Sequence, residues 1–269
     1  MFWEALTVDG FADSLEQTKG VCILPLGCLE KHGNHLPLGT DIYIAREVCA
    51  RAARQEEVMI FPFYPIGIVA EVKHKLGTIA VGSQIQFQML EAICEEISRN
   101  GYKKIILGNG HGGNSTFLRY FAQAMGEKKK DFTVYVYEIW HYTREEGQAL
   151  VDKHGPIAPG GHADIIESSD MLAIAPELVH MERVRPEESV SLGRADWYEE
   201  QQVYTGINWY AAYPYQFAGD PTGATAALGE DVLTYNATHL VEVLRKIKND
   251  DTLPDLFQEF YADSADPKR

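Results

Sequence analysis

The chain has 269 residues, 45% hydrophobic and 23% charged, with a formal net charge of −15. That balance fits a globular protein folding as a single domain over residues 1–269, and its acidity argues against nucleic acid or an anionic membrane surface as partner. Cys22, Cys28, Cys49 and Cys94 form no C-x-x-C pair and read as buried thiols, of which Cys28 alone sits near a candidate site.

The first residues carry Glu4, Asp9 and Asp13 in place of a basic segment leading into an apolar one. No run approaches the roughly 18 apolar residues of a membrane span, so a cytoplasmic setting is expected. Residues 20–27 form a short apolar run closed by glycine, the pattern of a buried parallel strand. Residues 41–55 follow with Ile44, Val48 and Ala52 at helical spacing. A second β-rich run covers 58–64, and a helix that Ser83 can cap carries Phe87, Leu90, Ile93, Cys94 and Ile97 before Asn100-Gly101 stops it. Residues 102–107 predict a third strand, the loop 108–114 reads Gly-Asn-Gly-His-Gly-Gly-Asn, and 115–125 is amphipathic. Lys128, Lys129 and Lys130 are expected to complement that helix's C-terminal dipole. Residues 131–140 predict a fourth strand. Periodicity is lost over 181–227, where Gly, Pro, Tyr and Trp suggest ordered loops over a site or at a subunit contact. A helix resumes over 228–247, and 262–269 reads as a frayed tail.

This alternation predicts an α/β fold with an open, mostly parallel sheet and helices on both faces, where ligands collect at the carboxyl ends of strands. Two polar loops fall at such ends. The first holds Glu30, His32, His35 and Asp41, and its carboxylates and imidazoles are the ligand types shared by zinc, manganese and ferrous iron. Glu30 and His32 can converge on one point, while Asp41 at a helix start can offer two oxygens to two metals. His111, flanked by glycines, is the fourth candidate ligand. Alone, Glu30 reads as a solvated loop acid and Asp41 as a helix cap; the combination with two histidines favours a metal centre. Further on, residues 160–169 add His162 and Glu167. His35 is either a contact near the site or a histidine bonded to backbone, and His74, His141, His154, His180 and His239 read as surface or core histidines. The loop 108–113 also satisfies G-x-G-x-x-G, with Glu138 as a possible ribose acid, but it follows the third strand and its imidazole is not needed to cradle pyrophosphate. The chain has neither a P-loop nor a G-x-S-x-G elbow.

Four blocks together resemble the creatininase, or creatinine amidohydrolase-like, family. They are Glu30-x-His32-Gly-x-His35-Leu-Pro-x-x-Thr40-Asp41, residues 109–114, His162-Ala163 through Glu167-Ser168, and Gly219-Asp220-Pro221-Thr222. The resemblance implies an α/β amidohydrolase with two divalent metal ions per subunit, zinc first with manganese or iron as alternatives, assembled as a homohexamer and acting on a small-molecule amide. By the same resemblance Glu30, His32, Asp41 and His111 hold the metals, with Asp41 bridging, and His162 is the catalytic proton shuttle. Creatinine-hydrolysing members carry a glutamate ligand where this chain has Gly113, and a glutamate precedes the catalytic histidine where this chain has Gly161. These departures point away from creatinine. They make Glu167 the expected replacement ligand, as in the Gly-Gly-Asn members, which include hydrolases of formylamino pyrimidines and a peptidase for a ribosomal redox-cofactor precursor. The implied reaction is metal-assisted hydrolysis of a C–N bond in a cyclic amide, formamide or small peptide-like substrate. A non-catalytic metal- or ligand-binding protein on the same scaffold is the alternative, and the retained His162 favours the enzyme.

Overall fold

The structure, a computed structural model, describes residues 1–140, 149, 152–155 and 161–267. Its centre is a parallel sheet of β1 (Val21–Leu26), β2 (Met59–Ile60), β3 (Lys104–Asn109) and β4 (Thr133–Glu138) in the order β2-β1-β3-β4. Every residue of β1 and β3 is buried, as the unbroken apolar runs require. Side chains alternate across the sheet. Ile23 and Ile106 enter one core with Val48, Leu233 and Leu240, while Leu24, Ile105 and Leu107 enter another with Leu90, Leu118 and Phe121.

Helices α2 (Thr40–Ala53) and α8 (Ala226–Lys248) supply the first core, and α3 (Ser83–Arg99) and α4 (Ser115–Ala124) the second, so the sheet is covered on both faces as expected. The strand order matters for function. The chain leaves β1 toward β2 on one side and returns to β3 on the other, so the loops after β1 and β3 flank a switch point where the sheet opens a crevice. Helix α5 (Ile165–Ile174), capped by Asp164 accepting from Ile166 N at 3.0 Å and Glu167 N at 3.2 Å, packs between α2 and α8. Short helices α6 (Asp196–Glu200) and α7 (Asn208–Ala212) interrupt the aperiodic region. Among the described residues no helix is long and apolar enough to cross a membrane.

Several local expectations change. The second run keeps only two ladder residues, because Pro62 has no N–H; the chain still follows β1 through Phe61 N to Ile23 O and Tyr64 N to Pro25 O, both 2.9 Å. Ser83 is the first residue of α3, not its cap: Gly82 holds that position and no side chain caps the helix. Lys130 bonds Glu91 at 2.9 Å and Glu95 at 2.6 Å on α3 instead of serving the end of α4. Two helices were not anticipated: α1 (Val8–Gln17), capped by Thr7, and α9 (Thr252–Ala265), whose residues 262–265 are helical though exposed. His141, Gly160 and the last two residues of the tail lie outside the described residues.

The contact between α5 and α8 is close enough to test. A Cβ on Gly229 would stand 2.0 Å from Ser169 O, a backbone atom that moves only with the whole helix. Gly229→Ala should therefore destabilise the protein by about 1–3 kcal/mol through overpacking. An unchanged denaturation midpoint would mean that the two helices separate freely.

Candidate metal centre

Glu30 and His32 follow β1, Asp41 lies in the first turn of α2, and His111 follows β3. All four side chains are buried and meet above the switch point. His111 Nδ1 is 3.0 Å from Asp41 Oδ2 and 3.2 Å from Glu30 Oε1. His32 Nε2 is 2.9 Å from Asp41 Oδ1 and 3.8 Å from Glu167 Oε2. Asp41 thus turns one oxygen to each imidazole.

The far side of each ring fixes which nitrogen is free. His111 Nε2 lies 3.0 Å from Ile68 O, and His32 Nδ1 lies 3.2 Å from Glu30 O. A carbonyl only accepts, so each ring donates there and aims its other nitrogen at the carboxylates. A nitrogen lone pair and a carboxylate oxygen at about 3 Å repel unless a proton or a cation lies between them. The donor set therefore fits a divalent cation, and backbone-anchored imidazoles are the usual outer support of such a centre. Among the described residues three donor groups have atoms within 4.8 Å of one another: Cys28, Glu30, Asp41 and His111; His32, Asp41 and Glu167; and Glu30, His32 and His162.

Charge balance shows the same demand. Burial opposes charge on His32, yet Asp41 and Glu167 outweigh it and raise the imidazole to about 10. Burial also opposes charge on His111, which Glu30 and Cys28 nevertheless hold well above its ordinary value. Asp41 and Glu30, despite burial, are held below the usual carboxylate range by the imidazoles, His32 first for Asp41 and His111 first for Glu30. Without metal the protons carry the positive charge, so a metal must displace them.

Glu167 and His162 come from the other side. Glu167, pushed up to about 7 chiefly by burial, accepts from Ala163 N at 2.6 Å. His162 is fixed by a two-way backbone pairing with Ala218, and Ala163 beside it takes φ +58°, a strained conformation for a residue with a Cβ. Its Nε2 donates to Lys31 O at 2.9 Å, leaving Nδ1 free, 4.0 Å from Glu30 Oε1. Burial, then His32, lowers its pKa and keeps it neutral. No side chain fits at the two departing positions: a Cβ on Gly113 would lie 2.4 Å from Ile68 O, and one on Gly161 2.2 Å from Ala218 O.

The family model described as creatinine amidohydrolase matches residues 4–244. The chain belongs to the creatininase family. It is similar to the creatinine amidohydrolase of Pseudomonas putida, 29% identical over 61% of this chain and 68% of the relative. It is also 29% identical to a mycofactocin precursor peptide peptidase of Mycobacterium tuberculosis over 82% of this chain and 83% of the relative. A 3-dehydro-scyllo-inosose hydrolase of Thermotoga maritima is 24% identical over 92% of this chain and 83% of the relative. A creatininase variant solved in a Zn–Zn form superposes with TM-score 0.77 at 22% identity, over 93% of this chain and 98% of that one. A manganese form gives 0.71 at the same identity, over 93% and 99%. These structures establish the shared fold.

In this creatininase-family hydrolase the cluster floors a cavity of about 400 Å³ whose walls include Ile68, Glu71, Trp140 and Trp209. Trp209 meets His162 edge-on, with ring centroids 5.6 Å apart. The sequence did not single out Glu71, Trp140 or Trp209. Glu71 could have been suspected as an acid in the loop that follows the second strand, and Trp209 from the aromatic-rich aperiodic region; Trp140 gave no separate signal. Among the described residues the remaining histidines take structural places. His35 Nε2 and Ser168 Oγ lie 3.0 Å apart. His74, His154, His180 and His239 contact Pro214 O, Asp231, Glu182 and Tyr137. The glycine loop that permitted a dinucleotide reading brings His111 to the carboxylates instead.

Proposed function

We propose that the protein is an amidohydrolase with two divalent metals, zinc first with manganese or iron as alternatives, held by Glu30, Asp41 and His111 on one side and by His32, Asp41 and Glu167 on the other. The observation that carries this reading is Asp41, whose two oxygens face two different anchored imidazoles, as a bridging carboxylate needs. When bound, the metals supply Lewis acidity toward an amide carbonyl and acidify water.

The chain's own residues do the rest. Neutral His162, with Nε2 tied to Lys31 O, offers Nδ1 at the cavity to take a proton and return it to the leaving nitrogen. Trp209 and Trp140 shield the reacting bond from bulk water. Glu71, raised by burial and with Oε2 lacking a hydrogen-bond partner, suits a substrate carrying N–H donors. The substrate class is accordingly a small, nitrogen-rich amide: a cyclic amide, a formamide or a short peptide-like molecule. A homo-oligomer, hexameric by family resemblance, working in the cytoplasm, completes the proposal.

Metal analysis beside a screen of those amides tests it. The expected result is two metals per chain and hydrolysis that chelation removes and zinc or manganese restores; activity indifferent to chelation would overturn it. Glu167→Gln adds a finer test, because a neutral oxygen is a poorer donor than a carboxylate. It should weaken one metal and leave the other, and two sites of unaltered affinity would leave Glu167 only its bond to Ala163 N.

A further inference from the structure

Cys28 lies nearer the metal cluster than the proposed ligand sets require. Its Sγ is 3.3 Å from Asp41 Oδ2, and it shares the group of Glu30, Asp41 and His111 whose donor atoms all lie within 4.8 Å of one another. Within that group His111 Nδ1 stands 3.0 Å from Asp41 and 3.2 Å from Glu30. A tetrahedral centre with metal–oxygen and metal–nitrogen bonds near 2.0–2.2 Å and a metal–sulfur bond near 2.3 Å sets neighbouring donors roughly 3.3–3.6 Å apart. The observed spacings come within a few tenths of an ångström of that. Cys28 is fully buried, packs on Val69 and Val72, and is backed by Gly67, where a Cβ would come within 2.7 Å of its own Cβ. Cys22, Cys49 and Cys94 lie instead in the two cores beside the sheet.

We propose that Cys28 is a thiolate ligand of the metal held by Glu30, Asp41 and His111. The inference rests on the two-metal reading above. On binding, the thiol releases its proton to solvent and the sulfur lone pair enters the metal's coordination sphere. Cys28 would then be a fourth protein donor on that side, and the activation of water and carbonyl would fall chiefly to the metal that His32, Asp41 and Glu167 would hold. The thiolate also selects a thiophilic ion: zinc, cobalt or cadmium is favoured there over manganese or magnesium.

Cobalt(II) reports thiolate ligation directly. The metal-free full-length protein loaded with two equivalents should show an intense near-ultraviolet thiolate-to-cobalt charge-transfer band beside the weaker visible bands. Cys28→Ser should lose the charge-transfer band, keep the visible bands, and bind zinc more weakly at one of the two sites while the other keeps its affinity. Two cobalt ions bound without the charge-transfer band would overturn the proposal while leaving the two-metal reading intact, with the thiol reduced to a hydrogen-bond donor to Asp41. A band that persists in Cys28→Ser would also overturn it. Failure of the wild-type protein to bind cobalt would overturn both readings. If Cys28→Ser does not fold, cadmium titration of the wild-type protein decides by the presence or absence of thiolate–cadmium absorption.

Discussion

The His111→Ala variant should fold, lose metal and lose hydrolysis altogether. Its imidazole spans the carboxylate of the loop after β1 and that of the start of α2, so its removal leaves Glu30 and Asp41 facing each other with neither a shared proton nor a nitrogen donor. The ring sits at a strand end, outside the two apolar cores, which is why stability should suffer far less than metal affinity. Metal analysis and circular dichroism together check this, and a variant that keeps two metals per chain would remove His111 from the ligand set. The wild-type protein should show the matching pH dependence. His32 and His111 have raised pKa values without metal, so each holds a proton that metal must displace. Apparent affinity should therefore fall as pH is lowered, by up to about tenfold per unit for each proton displaced, with the His32 proton contributing below about 10.

His162→Ala should keep both metals yet lose about 10²–10⁴ in kcat, the range of a positioned acid–base group. The ring is held by Lys31 O on one side and by the backbone pairing with Ala218, so its free Nδ1 is already placed at the cavity. Its proposed work is done in the transition state, so KM should change little. A variant with unchanged kcat on a confirmed substrate would remove His162 from the mechanism, and one that loses metal as well would make it a ligand beside Glu30 and His32.

The legibility of this protein follows the range of the interactions. Strands β1 and β3 are buried on both faces, and such burial demands unbroken apolar runs, so both could be read directly. The alternation of runs and amphipathic segments then implied parallel strands with helices on both sides. Glu30, His32 and Asp41 could be paired on paper because one loop and one helix start carry them all. Helix α9 escaped because it follows a long helix and buries no residue fully, so its polar, acidic end reads as a tail.

What the amino-acid order determined by itself was the sheet, the two polar loops at its carboxyl end and the kinds of ligand they carry. Only the tertiary structure decided how these meet. The reversal of strand order between β1 and β3 brings His111 to Asp41 across 70 residues of sequence. The backbone carbonyls of Ile68, Glu30 and Lys31 fix which nitrogen of each imidazole is free, and nothing in the side-chain sequence records a carbonyl's direction. Glu167 reaches His32 because Ala163 adopts a left-handed backbone and α5 packs between α2 and α8. Glu71 and Trp209 became cavity walls through the docking of two segments that lack periodicity, and docking of that kind depends on shape and burial summed over distant residues.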